Sequence, residues 1–130
     1  MTTTLTPRLI VSGAAKAIEF YRAALGAEEV SRYADATGAV VHTELSVDGA
    51  VFTLKDESPT SDPGVGDQAP TSYGGTPVFL SLTVPDARGV GARMEAAGAT
   101  VVFPIDDHPY GTMGRLADPF GHVWMIHQDG

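Results

Sequence analysis

The feature that most constrains the fold of this chain is an internal repeat of about 72 residues. Gly26 and Gly49 are separated by 23 residues, and the same distance separates Gly98 from Gly121. Both first glycines precede an alanine, and both second glycines precede a hydrophobic stretch, VFTL in the first half and VWMI in the second. Four matches in one register favour a duplicated structural unit, so the two halves are expected to fold alike.

Each half carries the same predicted order of elements: a strand, a helix and three further strands. The helix AAKAIEFYRAAL is apolar at helical spacing and ends at Gly26, which supplies a left-handed stop. Its counterpart ARGVGARMEAA follows the N-cap residue Asp86 and ends at Gly98. The predicted strands cover residues 5–11, 28–34, 40–47 and 50–54 in the first half and 78–84, 100–103, 112–117 and 122–126 in the second.

We therefore predict a single α+β domain, residues 1–130, built from two βαβββ modules at residues 5–56 and 77–128. Segment 57–76 between the modules is rich in Gly, Pro, Ser and Thr. A mobile linker is the simpler interpretation of this composition. A lid over a site, with Tyr73 as its only supporting residue, is the alternative.

Composition and charge exclude several classes of function. The chain of 130 residues contains no cysteine, which excludes disulfides and thiolate metal sites and suits a reducing cytoplasm. The sequence does not begin with a basic region followed by an apolar run, and no apolar run reaches the roughly 20 residues that span a bilayer. The net charge is −8, and the eight basic residues are scattered along the chain. We therefore expect a cytoplasmic protein that binds neither nucleic acid nor a membrane.

Three stretches together resemble a known superfamily. The helix AAKAIEFYRAALGAEEV, the DG turn at Asp48 and the hairpin YGTMGRLADPFGHVW are similar to the vicinal oxygen chelate superfamily, and within it to the glyoxalase/bleomycin-resistance group. The resemblance covers nearly the whole chain and implies curved mixed sheets around a cavity, usually in a homodimer. Members include metal-dependent lyases, isomerases and dioxygenases as well as metal-free proteins that sequester antibiotics. The fold alone therefore does not select an activity.

The resemblance also identifies the positions at which the metalloenzymes carry their ligands. In this chain those positions are Thr6 and Phe79 on the first strand of each module, and Thr53 and Met125 four residues after each hairpin glycine. Divalent metals in such sites need imidazole or carboxylate donors, and none of these four residues supplies one. We therefore predict neither a metal nor another cofactor.

The histidines do not rebuild a metal site in this interpretation. His122 and His127 are five residues apart on one predicted strand and therefore point to opposite faces. His42 and Glu44 share a strand face, which we place away from the cavity. His108 and the two aspartates before it are expected in a solvated turn. No nucleophile motif, phosphate-binding loop or carboxylate pair is evident, so no catalytic residue is predicted.

If the strand phase of the family holds, one face of each sheet lines the cavity. Its methionines, hydroxyls and two arginines suit a bulky, partly aromatic ligand, because methionine adapts to irregular shapes and guanidinium groups stack on rings or hold a carboxylate. Phe52 and Trp124 have the opposite parity and are predicted to point into the core. Core filling is an equal alternative for Phe79 and the second-half lining, and each arginine could instead pair with an acid such as Glu44 or Asp118. The predicted ligand-binding residues are Arg8, Tyr33, Val41, Thr43, Thr53, Phe79, Tyr110, Met113, Arg115 and Met125.

These observations favour a metal-free protein that binds a small-molecule or peptide natural product, such as an antibiotic, as a homodimer. The alternative is an enzyme of the same superfamily, either a glyoxalase-like lyase or isomerase or a dioxygenase. A small regulatory module with a closed, ligand-free core is a third and weaker alternative.

Overall fold

Each half of the chain forms one βαβββ module, in the order that the repeat predicts. The structure is a computed structural model that describes residues 2–58 and 66–130. No helix in these two described ranges is long and apolar enough to cross a membrane. The elements are β1 (Arg8–Val11), α1 (Ala14–Leu25), β2 (Glu28–Ala34), β3 (Val40–Val47), β4 (Ala50–Asp56), α2 (Pro70–Tyr73), β5 (Phe79–Thr83), α3 (Ala87–Ala96), β6 (Thr100–His108), β7 (Gly111–Ala117) and β8 (Val123–Gln128).

The strands form two four-stranded mixed sheets. Sheet A has the order β1-β4-β3-β2, and sheet B has the order β5-β8-β7-β6. In each sheet the first strand of the module runs parallel to the last, and the other neighbours are antiparallel. The predicted α+β class with two βαβββ modules is confirmed, and the two sheets do not close into one barrel.

The end of the last strand in each module fixes the start of that module's helix. Asp56 Oδ1 accepts a hydrogen bond from the backbone N–H of Ala14 at 2.6 Å, and Gln128 Oε1 accepts one from Ala87 at 2.9 Å. The first N–H groups of a helix have no partner within the helix, so these side chains satisfy otherwise unpaired donors. At its other end α1 stops at Gly26, as predicted, with φ of +68° in the left-handed region.

One hydrophobic core joins the two sheets with helices α1 and α3. Phe52 of β4 and Trp124 of β8 meet there with ring centroids 5.4 Å apart, and Tyr21 of α1 contacts them at 5.3 and 5.6 Å. All three side chains are buried, which confirms the predicted core positions of Phe52 and Trp124. Because side chains alternate along a strand, the other side of each sheet points away from this core. We call these two sides the open face of sheet A and the open face of sheet B.

A buried carboxylate joins the first module to the second. Asp118 Oδ2 accepts hydrogen bonds from the Tyr21 hydroxyl at 2.5 Å and from Trp124 Nε1 at 2.9 Å. Its Oδ1 accepts from the backbone N–H groups of Phe120 and His122 at 2.9 and 3.0 Å, within the turn predicted at DPFG. Burial raises the pKa of Tyr21 well above its ordinary value, and the charge of Asp118 raises that pKa further.

Strand β6 is longer than predicted. It continues past Pro104 to His108, whereas the prediction ended at residue 103. Two register shifts in the pairing with β7 let the strand bend and continue. The expectation that Asp106, Asp107 and His108 form a solvated turn is therefore wrong, since all three pair with residues of β7.

The segment between the modules contains the short helix α2. Glu57 accepts hydrogen bonds from Ser72 Oγ at 2.7 Å and from the Ala69 N–H at 3.2 Å, which ties this helix to the end of β4. Residues 59–65 of the expected linker lie outside the described residues.

Candidate functional site

The open face of sheet B holds an arginine between two aromatic rings. The guanidinium carbon of Arg115 in β7 lies 4.9 Å from the centroid of Phe79 and 5.5 Å from that of Phe103. Over the two ranges that the structure describes, no carboxylate lies within 4 Å of Arg115, so the alternative pairing with Glu44 or Asp118 does not occur. A guanidinium stacked on rings retains its hydrogen-bonding edge for a carboxylate.

A row of rings continues from this arginine toward the end of the sheet. Phe103 and His108 stack at 5.8 Å, and His108 and Tyr110 lie 5.2 Å apart with an angle of 3° between their planes. Tyr110 and His127 follow at 6.5 Å. His108 Nε2 is buried without a hydrogen-bond partner among the described residues. The row presents flat apolar surface to solvent, because Phe103 and Tyr110 are exposed.

A cleft of about 450 Å³ opens where the two modules meet. Strand β5, the residues before β1 and the β3–β4 hairpin form its walls, and Phe52 and Trp124 line it from the core. Its lining is almost wholly apolar, with Ser81 as its hydroxyl-bearing residue. Phe79 lines the cleft and also stacks on Arg115, so the arginine lies beside the cleft. This volume is within the range of small-molecule pockets, roughly 300–1,000 Å³.

The open face of sheet A is more polar. Arg8, Thr53 and Glu44 lie in one row across β1, β4 and β3, because Arg8 pairs with Thr53 and Thr53 with Glu44. Arg8 Nη1 bonds to His42 Nδ1 at 2.9 Å, and Nη2 donates to the Val41 carbonyl at 3.1 Å. A guanidinium can only donate, so His42 Nδ1 is the acceptor and the ring proton is on Nε2.

The predicted face of strand β3 is wrong. Thr43 and Leu45 pair with core residues of β4 and are fully buried on the side of α1. Val41 has the same parity as Thr43, whereas His42 and Glu44 lie on the open face, from which the prediction excluded them. The sequence VVHTELSV has apolar residues at both parities, and a shift of one residue exchanges the two faces of a strand.

The positions at which related metalloenzymes carry ligands do not fit a divalent cation. Thr53 pairs with Arg8, and Met125 pairs with Ser81. The charge of an arginine repels a metal ion, and hydroxyl or thioether groups do not replace imidazole and carboxylate donors. Thr6 precedes β1 and is exposed. In the parts of the chain that the structure describes, no three His, Asp or Glu side chains are grouped so that they could hold a metal ion.

The predicted ligand-binding residues therefore fall into separate sets on the two sheets. The set on sheet A is Arg8, Tyr33 and Thr53, and the set on sheet B is Phe79, Tyr110, Met113, Arg115 and Met125. Val41 and Thr43 lie on the other side of β3, where Thr43 is fully buried and Val41 is 40% exposed. Sequence reasoning did not identify Phe103 as a partner of Arg115. No local signal identifies it, because β6 reaches β7 through register shifts.

The chain is similar to known proteins over almost its whole length. Residues 3–126 match the family model of the Glyoxalase/Bleomycin resistance protein/Dioxygenase superfamily. The uncharacterized protein Rv0887c of Mycobacterium tuberculosis is 42% identical over 125 residues, which are 95% of this chain and 73% of that protein.

Two solved structures share the fold at low sequence identity. Protein PA1353 from Pseudomonas aeruginosa superposes with a TM-score of 0.76 at 22% identity, over 98% of each chain. The fosfomycin resistance protein FosX from Listeria monocytogenes has a TM-score of 0.73 at 15% identity, over 100% of this chain and 95% of FosX. At such identities the likeness shows the fold alone.

Proposed function

The chain belongs to the Glyoxalase/Bleomycin resistance protein/Dioxygenase superfamily, and we propose that it sequesters a bulky, partly aromatic natural product without a metal. The observation that carries this proposal is the guanidinium of Arg115, stacked between Phe79 and Phe103 beside a cleft of about 450 Å³. Its ligand would be a small molecule or a peptide, such as an antibiotic.

The side chains around Arg115 support binding of a flat ring. Phe79 is 48% exposed, and each Å² of apolar surface that a ligand covers contributes about 25 cal/mol. Met125 is the strand neighbour of Arg115 and Met113 lies two residues before it, so two flexible thioethers adjoin the guanidinium. Thioethers adapt to irregular ligands and make favourable contacts with rings. Arg115 would stack on the ligand or bind a carboxylate of it.

A second candidate is an enzyme that uses acid–base chemistry on the open face of sheet A. His42 and Glu44 are two residues apart on this face. His42 presents its Nε2–H as a hydrogen-bond donor to a substrate, because Arg8 bonds to Nδ1, and Glu44 presents a carboxyl group that can serve as the base. Turnover that is lost in both H42A and E44Q, with binding retained, would favour this candidate over sequestration.

We further propose that the protein acts as a homodimer in the cytoplasm. The two open faces of one chain point away from a shared core, so one chain covers a ligand on either face from one side only. The edge strand β5 begins at Phe79, and Val78 directly precedes it. Their side chains are 48% and 62% exposed, so both are available to a second copy. Sedimentation equilibrium measures the mass, and a monomer at all concentrations would contradict this assembly.

The single tryptophan provides a test of the proposed function. Trp124 lines the cleft, so a bound ligand alters its fluorescence directly. Aromatic peptide antibiotics, bleomycin-type glycopeptides and small oxo-acids form the panel. One class is expected to change the fluorescence and to stabilise the fold by about 2.7 kcal/mol at 100 times its Kd. No response from any class would contradict the proposal.

Two variants test whether the ligand binds in the cleft rather than elsewhere on the surface. F79A removes a ring that touches both the cleft and Arg115, and it is expected to weaken binding about ten-fold. Y73A removes another exposed ring, on α2 and outside the residues that line the cleft, and is expected to leave the affinity unchanged. Metal analysis completes the test, since one tightly bound divalent ion per chain would refute the metal-free mode of binding.

A further inference from the structure

Two basic side chains lie next to one another on the open face of sheet A. Arg8 in β1 pairs with Thr53 in β4, and Lys55 follows two residues later on the same side of β4. This face is distinct from the one that carries Arg115. Glu44 lies on the same face, but among the described residues neither Arg8 nor Lys55 forms an ion pair with it.

Arg8 is held in place by a histidine and a backbone carbonyl. His42 Nδ1 and the Val41 carbonyl accept from its two terminal nitrogens at 2.9 and 3.1 Å. Within residues 2–58 and 66–130, no carboxylate lies within 4 Å of it. Two uncharged acceptors orient this guanidinium, and no carboxylate of the described residues contacts it directly.

Lys55 already binds a carboxylate, and that carboxylate comes from the segment between the modules. Its amine donates to Asp67 at 2.5 Å and to Ser58 Oγ at 2.9 Å, and the lysine side chain is only 10% exposed. The backbone N–H of Ser58 donates to the Asp67 carbonyl at 2.8 Å and holds the aspartate in place. The bond to Lys55 and the charges of Lys55 and Arg8 lower the pKa of Asp67. Both cations therefore act on this one carboxylate.

We propose that Arg8 and Lys55 form a carboxylate-binding site on the open face of sheet A, and that Asp67 occupies this site in the ligand-free protein. A buried ammonium requires a counter-ion, and Asp67 supplies one from within the chain. Asp67 itself is 53% exposed, so an incoming carboxylate can displace it. Arg8 then adds the donors of its oriented guanidinium to the bound group.

Acetate is the probe for this site, because it contains a carboxylate and little else. Amide NMR shifts of Thr53 and Ser58 report its binding to the full chain at constant ionic strength. D67N removes the internal competitor and is expected to bind acetate about ten-fold more tightly than the unchanged protein. D107N removes one negative charge from an exposed pair with Arg88 on sheet B, so it is the matched control and is expected to show no gain.

A double variant tests the contribution of Arg8. R8Q in the D67N background is expected to lose the ten-fold gain, because a charge-assisted hydrogen bond is removed. Affinity of D67N within two-fold of D107N would overturn the proposal, and so would a gain that persists in the double variant.

A second readout does not depend on D67N. In the R8Q single variant the pKa of Asp67 is expected to rise toward its ordinary value, since one of the two cations is lost. An unchanged titration of Asp67 by carboxyl NMR would show that Arg8 does not act on this site. These measurements are independent of the Trp124 assay, so the carboxylate site and the proposed sequestration can fail separately.

Discussion

Asp118 makes four hydrogen bonds from one buried carboxylate. Two connect it to Tyr21 and Trp124, and two close its own turn. In D118N an amide NH₂ replaces one acceptor oxygen, so the Trp124 N–H loses its partner inside the core. We expect D118N to lower the free energy of unfolding by about 2–3 kcal/mol in urea denaturation.

The control for this variant is another aspartate that closes a turn. Asp35 Oδ1 accepts from the backbone N–H groups of Thr37 and Ala39, but it is exposed and an amide oxygen can keep both bonds. D35N is therefore expected to leave the urea midpoint nearly unchanged. Equal losses in D35N and D118N would show that the buried contacts of Asp118 contribute nothing specific.

The raised pKa of Tyr21 predicts that the folded protein loses stability at alkaline pH. Its pKa is higher in the folded chain, because of burial and then Asp118, than the value near 10 of an unfolded chain. The folded state therefore holds a proton that the unfolded state releases. The contribution of the Tyr21 proton to the free energy of unfolding is fully present below pH 10. It is lost as the pH rises through the pKa that Tyr21 has in the folded state.

Tyrosinate absorbance separates Tyr21 from the other tyrosines. Tyr21 is fully buried, whereas Tyr33, Tyr73 and Tyr110 are 56–61% exposed, so Tyr21 is the tyrosine expected to ionise only on unfolding. In Y21F the late, unfolding-coupled step should be missing. A tyrosinate step that accompanies the loss of circular dichroism equally in Y21F and in the unchanged protein would contradict the buried position of Tyr21.

At the scale of elements, Ile105 of strand β6 lies close to two glycines, Gly91 of α3 and Gly114 of β7. A Cβ on Gly114 of β7 would lie 2.6 Å from both the Cα and the N of Ile105. Because backbone atoms cannot rotate away, G114A is expected to cost about 1–3 kcal/mol in the free energy of unfolding.

Gly91 in α3 provides the matched comparison. A Cβ there meets the terminal carbon of the Ile105 side chain, which can rotate. Alanine is also favoured over glycine inside a helix by about 1 kcal/mol, which offsets part of the clash. G91A should therefore destabilise less than G114A in the same urea titration. The reverse order would mean that the β6–β7 approach is not close.

The elements that sequence reasoning predicted correctly are those defined by local patterns. The duplicated helices and glycine turns give the βαβββ order, and the parity of Phe52 and Trp124 gives the core. The prediction of which face of β3 points into the core was wrong. That face depends on which residues of β4 lie opposite, and the sequence VVHTELSV does not determine this register. The extension of β6 past Pro104 likewise depends on β7.

In the candidate sites, too, local patterns were predicted and long-range contacts were not. Arg8 and Arg115 were predicted because arginines on largely apolar strands need a partner or a ligand. Their surroundings were not predicted, since Phe103 and Asp67 come from segments far away in sequence or from irregular structure. Hydrophobic periodicity indicates which residues are notable, and tertiary packing decides which of them meet.

At the scale of the whole molecule, the shared core predicts that the two modules unfold together. Phe52 belongs to the first module, yet it packs on Trp124 of the second and on Tyr21 between them. F52A is expected to cost about 3–5 kcal/mol and to lower both the Trp124 fluorescence midpoint and the circular dichroism midpoint equally. A fluorescence transition that stays in place while circular dichroism shifts would contradict a single cooperative unit.

The contact between Phe52 and Trp124 has a consequence for symmetry. The two residues are 72 positions apart, the period of the repeat, and so occupy the same place in the two modules. A two-fold axis between two units brings equivalent residues into contact, as in an isologous interface. The Phe52–Trp124 contact in the core of one chain is therefore the kind of contact that a symmetric pair of half-length subunits would make, with the two halves here joined by residues 57–76.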